Sequence, residues 1–419
     1  MRVGRYTAAL LLLAAGGALL YDQAQGTAYT ADLWDWWPLL LIALGAEYAI
    51  SSLVTASGKR EARFDFGGMF GAVLVTGVVV ALTQPANLPF HLSDRFDTGL
   101  FSSLSGESGH RFEKSAVRIP LTADTRQVTF NNPNGGITLR AGDVEQIEAS
   151  AVIWVDRAGK EEAERVAEAS ALTFDGDSTL TIQAQGRTYG HNGKRKPRMN
   201  LTVIVPADRA LDLTLHLANG KVDAQGLKVQ EHLSIDTRNG SILVKSVSGS
   251  VKAETTNGEI QVSSINGDVE LGSTNGRITA QSVDGDADIE TTNGALSAKQ
   301  IGGSVGARTT NGSITIEQVD GSIDADTTNG SVRLSSRSMN GDWKLATSHG
   351  KVDVTVPADG SFTVDGSGSG KLSTDLPLTI GKKKITGTVG GGEHELAIDT
   401  NGAISIHAAD ASGRHSQQD

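Results

Sequence analysis

Glycine recurs every ninth residue through the middle of this chain, at 240, 249, 258, 267, 276, 285, 294, 303, 312, 321 and 330. Asn precedes every second one, at 239, 257, 275, 293, 311 and 329, so the unit is 18 residues with two similar halves. One half reads T-T-N-G-x-I-x-A-x and the other x-V-x-G-x-V-x-A-x. Two residues after each Gly stand Ile242, Val251, Ile260, Val269, Ile278, Ala287, Leu296, Val305, Ile314, Ile323 and Val332. Four residues after stand Val244, Ala253, Val262, Leu271, Ala280, Ile289, Ala298, Ala307, Ile316, Ala325 and Leu334. All 22 positions are apolar, and the residues between them are mostly polar. Because a strand turns alternate side chains to opposite faces, each half is a short strand with one buried face. Such a strand cannot cover that face alone, but stacked copies can. The pattern therefore predicts an all-β fold, a β-solenoid with two strands per 18-residue coil. Seven coils between Asn219 and Gly350, each rising ~4.8 Å, would build about 34 Å of rod.

At the corners, Gly permits positive φ, and Asn tolerates it better than most residues. Asn side chains one coil apart can pass amide hydrogen bonds along a ladder, which suits a solenoid better than an isolated type I′ turn. Thr256, Thr274, Thr292, Thr310 and Thr328 would form a second rank whose hydroxyls bond corner backbone, with no need of an ice-binding role. Calcium-binding β-rolls with a nine-residue period place Asp where this chain is always apolar, so their calcium ladder is absent. Asp284, Asp286 and Asp288, with Asp320, Asp324 and Asp326, remain as acidic clusters for a stray cation.

The repeat is flanked by less regular sequence. Alternation marks strands at 127–130, 137–140, 147–155, 180–183 and 201–205. Ala163, Val166, Ala167 and Ala171 fall at helical spacing in a Glu- and Ala-rich stretch, predicting a helix over 160–171. The run His191–Arg198, H-N-G-K-R-K-P-R, is basic in an acidic region. It reads first as a solvated hairpin tip between the strands at 180–183 and 201–205, and otherwise as a contact for an anionic wall polymer. After Ser338 the period fades, and G-T-V-G-G-G-E-H-E-L-A-I-D-T-N-G-A-I-S-I at 387–406 brings back a T-N-G step. The T-N-G-x-I repeat and the closing G-G-G resemble a bacterial adhesin-type family with β-strand repeats and no assigned function. That resemblance implies a β-solenoid and an envelope location.

Three apolar stretches open the chain, at 8–20, 37–54 and 67–82. Trp34, Trp36 and Trp37 suit an aromatic belt, and a three-helix transmembrane segment is expected. Arg2, Arg5, Lys59, Arg60 and Arg63 flank these stretches, while 22–35 lacks Lys and Arg. The positive-inside rule then puts the N-terminus in the cytoplasm and everything after Leu82 outside the membrane. Cleavage of 8–20 as a signal peptide is the weaker reading, because no small-x-small site follows. The pattern from Arg5 to Leu20, followed by W-W-P-L-L-L-I-A-L-G at 36–45, resembles the N-terminal membrane domain of Lia-type envelope-stress proteins of Gram-positive bacteria. The expected organisation is a membrane domain at 1–83, a tether at 84–118 and an irregular β entry region at 119–218. The regular solenoid at 219–350, C-terminal coils at 351–407 and a disordered tail at 408–419 follow.

Composition narrows the function. The chain has no Cys, which excludes disulfides, thiol catalysis and Cys-bound metal. From residue 84 onward there are 32 Lys/Arg against 42 Asp/Glu, an unsuitable surface for nucleic acid. Between 219 and 342 no Phe, Tyr or Trp is present to stack on a sugar, and the His residues are scattered. No catalytic, cofactor or metal residues are therefore assigned, and an enzyme such as a β-helix carbohydrate lyase is disfavoured. The expected role is a non-catalytic binding or structural module of the cell envelope. Its expected partners are the lipid bilayer and either a wall polymer or envelope-stress membrane proteins. The alternative is a regulatory component of a Lia-type stress response.

Overall fold

The computed structural model describes residues 2–3, 63–64, 109–190 and 193–409. The chain divides into two compact units, Met1–Ser108 and Gly109–Asp419. In the first, Arg2–Val3 pairs in parallel with Arg63–Phe64. The three expected membrane stretches lie outside the described residues. Among the described residues the one helix is Lys160–Glu168, and no helix is long and apolar enough to cross a membrane.

The second unit is a β-solenoid. Between Asn239 and Asn329 each coil crosses two parallel stacks of strands in 18-residue register: Val251 pairs with Val269, Val269 with Ala287, and Ala287 with Val305 in one stack. Ile260, Ile278 and Leu296 pair likewise in the other. All 22 apolar positions of the repeat are buried between the stacks. Because every strand of the regular coils is parallel to its neighbours and identical in phase, like sits on like and the core there is a column of aliphatic layers.

A third inward position on one strand of each coil is not contained in the two-and-four rule. Val247, Ile265, Val283, Ile301 and Val319 are also buried. The residue before each, Ser246, Ser264, Ser282, Gln300 or Gln318, adopts a left-handed backbone with φ of 53–59°. That single αL residue shifts the side-chain phase, so three residues face inward on this strand rather than two.

The repeat glycines have a different cause from the one expected. Of the eleven, only Gly249 has φ in the left-handed range. A Cβ on Gly240, Gly258, Gly276, Gly294, Gly312 or Gly330 would instead collide with the backbone carbonyl of the glycine one coil before. Close approach of coils, not unusual φ, therefore requires glycine at these corners.

Both ends depart from sequential stacking. At the entry, Gln127–Asn134 and Ile137–Gly142 form a coil, and the chain then folds back so that 179–185 and 198–206 stack outside it. Antiparallel strands finish this end, Ile147–Val155 on 198–206 and His110–Ile119 on 147–155. The strand His110–Ile119 begins inside the stretch read as tether. The helix ends at Glu168 rather than Ala171, since Ser170 Oγ caps Val166 O and Ala171 starts the strand Ala171–Asp175. At the exit, His394–Ala408 inserts between the coil Trp343–Val356 and the outer strands Phe362–Gly368 and Leu372–Thr374.

The two kinds of glycine are separable by experiment. Gly294→Ala drives Cβ onto Gly276 O and should cost about 3 kcal/mol or more. Gly272→Ala meets only Glu254 Cγ at 3.7 Å and should be neutral or up to about 1 kcal/mol stabilising. Denaturant melts of the two variants check the contrast.

Candidate functional site

One edge of the solenoid is a continuous amide ladder. Each Asn donates Nδ2–H to Oδ1 of its counterpart one coil before, from Asn239 to Asn219 through Asn329 to Asn311, at 2.8–3.0 Å. The expected ladder is thus present over seven coils. It stops where His349 takes the Asn position opposite Asn329.

Behind it runs a hydroxyl rank, built from different threonines than expected. Thr255, Thr291, Thr309 and Thr327, with Ser273 in phase, are buried and donate to the carbonyls of Gly240, Gly276, Gly294, Gly312 and Gly258 respectively. Thr256, Thr274, Thr292, Thr310 and Thr328 are exposed beside the Asn rank. In each T-T pair the first residue continues the inward phase of the strand, and alternation turns the second outward.

The opposite edge carries its own ladder. Ser250 Oγ accepts from Asp268 N, Asp268 Oδ1 from Asp286 N, Asp286 Oδ1 from Ser304 N, and Ser304 Oγ from Ser322 N. This use explains part of the acidic clusters: Asp286 caps backbone. Asp288 and Asp324 flank Gly306 and share Arg308, at 3.7 and 2.7 Å. Asp320 accepts from Ser338 Oγ. Among the described residues no three acidic or His side chains converge in metal-binding geometry. The absent side chain of Gly306 leaves an open depression of about 480 Å³, lined by Asp286, Asp288, Ser304, Ser322, Asp324, Asp342 and Lys344.

Among the described residues there are three His–Asp pairs, His216–Asp236 at 3.9 Å, His394–Asp342 at 4.0 Å and His407–Asp375 at 3.3 Å. They lie at separate places on the fold, and no hydroxyl nucleophile bonds to any of these imidazoles among the described residues. Such a pair lacks the nucleophile–base contact that acyl transfer requires.

The basic run is more structured than a free tip. The strands it joins, Thr179–Gln185 and Arg198–Pro206, belong to opposite stacks, so it is a corner excursion and not the hairpin between them that was expected. A small hairpin of its own forms where Tyr189 and Arg195 bridge. Three contacts pin its base. Tyr189, buried, donates its hydroxyl to Asp156 O and accepts from Asp156 N, Gly190 N donates to Glu162 Oε1, and Arg195 donates to Arg157 O. Arg198 lies over the Trp154 ring, 5.4 Å from its centroid. Gly193, Lys194, Arg195 and Lys196 are exposed.

With this geometry in hand, comparison places the chain. The Toastrack DUF4097 profile matches residues 91–300 and 267–407. The chain belongs to that family. A second profile, the LiaI-LiaF-like transmembrane region, matches residues 6–48. No curated protein matches. Among solved structures, a "putative adhesin" from Parabacteroides merdae is 12% identical, with 72% of this chain and 97% of that chain covered and a TM-score of 0.31. A "putative lipid binding protein" from Parabacteroides distasonis is 14% identical, covers 71% of this chain and 97% of its own, and has a TM-score of 0.34.

Two outcomes test the polar architecture. Thr291→Val removes a buried hydroxyl-to-carbonyl bond and should cost about 1–2 kcal/mol, whereas Thr292→Val, outward, should stay within about 0.5 kcal/mol by chemical denaturation. Burial, ahead of the Asp156 contacts, raises the pKa of Tyr189 above its ordinary 10.0. The folded state therefore holds the phenolic proton more tightly than the unfolded chain. This contribution is complete below the ordinary tyrosine value and is lost as pH climbs past it. Stability should fall more steeply above that pH in the parent chain than in Tyr189→Phe, read by urea melts at a series of alkaline pH values.

Proposed function

We propose that this Toastrack protein is a membrane-anchored, non-catalytic binding and structural module of the cell envelope. Its N-terminal region holds the β-solenoid on the extracytoplasmic side. The observation that carries this reading is the pairing of a LiaI-LiaF-like transmembrane region with a rigid column of coils whose corner side chains are spent on its own backbone and on one another. A catalytic β-helix needs acids, bases and an aromatic platform converging in a groove. Here Asp268 and Asp286 cap amides, Asp288 and Asp324 pair with Arg308, and the rod's regular coils carry no aromatic side chain between 219 and 342. What the structure offers a partner is a long, stiff, repetitive surface, which favours binding by repeated contacts.

A second reading is supported by the same membrane profile. The protein would act as a regulatory component of a Lia-type envelope-stress response, the solenoid binding a perturbing agent and the membrane region contacting a partner. Capture experiments separate the two. Detergent-solubilised full-length chain and a fragment beginning at Gly109 are each used to retrieve partners. The module reading expects wall material on both, and the regulatory reading expects a membrane protein lost with the first 108 residues. Empty captures from both would count against each. The chain has no Cys, so a single Cys placed on the solenoid and probed with a membrane-impermeant thiol reagent reads its side directly; labelling only after lysis would overturn the extracytoplasmic placement.

A further inference from the structure

We propose that the basic segment Gly193–Arg198, pinned through the Tyr189–Arg195 bridge, is a docking tip for an anionic lipid surface, an inference that rests on the membrane-anchored reading above. Between Arg187 and Arg198 the chain has five Lys/Arg and no Asp/Glu. Between 219 and 350, by contrast, it has 11 Lys/Arg and 16 Asp/Glu. An anionic surface therefore repels the sides of the rod and attracts this tip. The exit end carries another exposed run of cations, Lys382–Lys384, with Asp365 beside Lys384 at 3.7 Å. Charge thus narrows the approach to the two ends, and the join to the anchor selects the entry end.

The construction of the tip points the same way. The Tyr189 hydroxyl, Glu162 and the Arg157 carbonyl hold the base of the hairpin, so Lys194, Arg195 and Lys196 are displayed without the entropy cost of ordering a loose loop on contact. The tip offers exposed cations, Lys194, Arg195 and Lys196. Its one aromatic, Tyr189, is buried. A sugar polymer is usually gripped by a cleft with exposed rings, whereas a headgroup layer needs only presented cations.

Chain connectivity supplies a reason for the surface to be a bilayer. The described body begins at Gly109, packed against Asp156, and His110 pairs with Val155. Tyr189 holds the backbone of that same Asp156. An anchor in the preceding residues is thus joined to the body at the foot of the basic hairpin, which raises the effective concentration of lipid at the tip.

The test uses the full chain, reconstituted into vesicles of phosphatidylcholine alone or with about one-third phosphatidylglycerol. A donor dye goes on a single Cys at Thr188→Cys beside the tip, or at Ala358→Cys in the exit cap, and acceptor dye goes in the lipid. Transfer from position 188 should rise in the anionic vesicles, fall back in about 0.5 M salt, and be unchanged from position 358. Lys194→Gln with Lys196→Gln, both exposed and with side chains outside the pinning contacts, should weaken docking on the order of 25-fold, from about 5-fold per cation. Equal transfer in the two lipids, or no effect of the double substitution, overturns the proposal. So does a rise at position 358 equal to that at 188. If added soluble polyphosphate displaces the tip from anionic vesicles no better than equal ionic strength does, lipid docking is supported. If polyphosphate binds the tip and the vesicles do not, a polymer is the occupant and lipid docking is overturned. Flotation with neutral vesicles tests the anchor separately. A chain that floats without lipid-dependent transfer loses the hairpin proposal alone, and one that floats with neither lipid loses both.

Discussion

The whole column depends on how closely one coil can approach the next at the corner where glycine meets glycine. A carbonyl from one coil occupies the space that a Cβ of the next would fill. That contact aligns the flanking Asn amides and brings Thr255, Thr291, Thr309 and Thr327 within reach of glycine carbonyls. Register then propagates: once two glycines are seated, the paired strands have one alignment that puts like on like. A slip by one residue would turn each aliphatic row toward water. The corner is therefore where the sequence period becomes a physical constraint, and the aliphatic core supplies the burial that makes the constraint worth obeying.

Much of this was legible in advance because it is local. Alternation around each glycine identifies the 22 inward positions, and the recurrence of Asn at the coil period identifies the ladder. What escaped was of three kinds. The αL residues at 246, 264, 282, 300 and 318 are Ser or Gln, residue types that do not advertise a left-handed backbone, so the extra inward position they create was hidden. The buried threonine of each T-T pair is the one that strict alternation selects, since Thr255 continues the phase of Val251 and Ala253. The expected rank stops that alternation at the fourth residue after Gly and so falls on the outward neighbour. The order of coils at both ends depends on contacts distant in sequence, such as Leu345 with Ile398 and Phe130 with Ile182. No periodicity encodes those. The candidate surface was half visible: the charges of the basic run are plain in the sequence, but its anchoring through Tyr189, Glu162 and Arg157 needs the fold-back of the entry region.

Ion pairs along the outer faces play a smaller part. Lys252 with Glu270 and Arg308 with Asp324 join neighbouring coils at 2.6 and 2.7 Å. Their side chains are about half exposed, so each contributes little to stability. Their value lies in leaving the lateral faces studded with both signs of charge above a negative balance, which keeps one rod from lying flat against another.

The exit end has a mechanical consequence. Because His394–Ala408 is sandwiched between the coil Trp343–Val356 and the strands 362–374, the last coil to be synthesised is not the outermost one. The terminal layer cannot peel away while leaving its neighbour intact in sequence order. Withdrawing the C-terminus means pulling a strand pair out from beneath its cover and breaking ladders on both of its sides at once. A solenoid that ended in simple stacking would fray from its tip one coil at a time. This one is latched, and a tensile load arriving at the exit end meets strands that are paired on two sides.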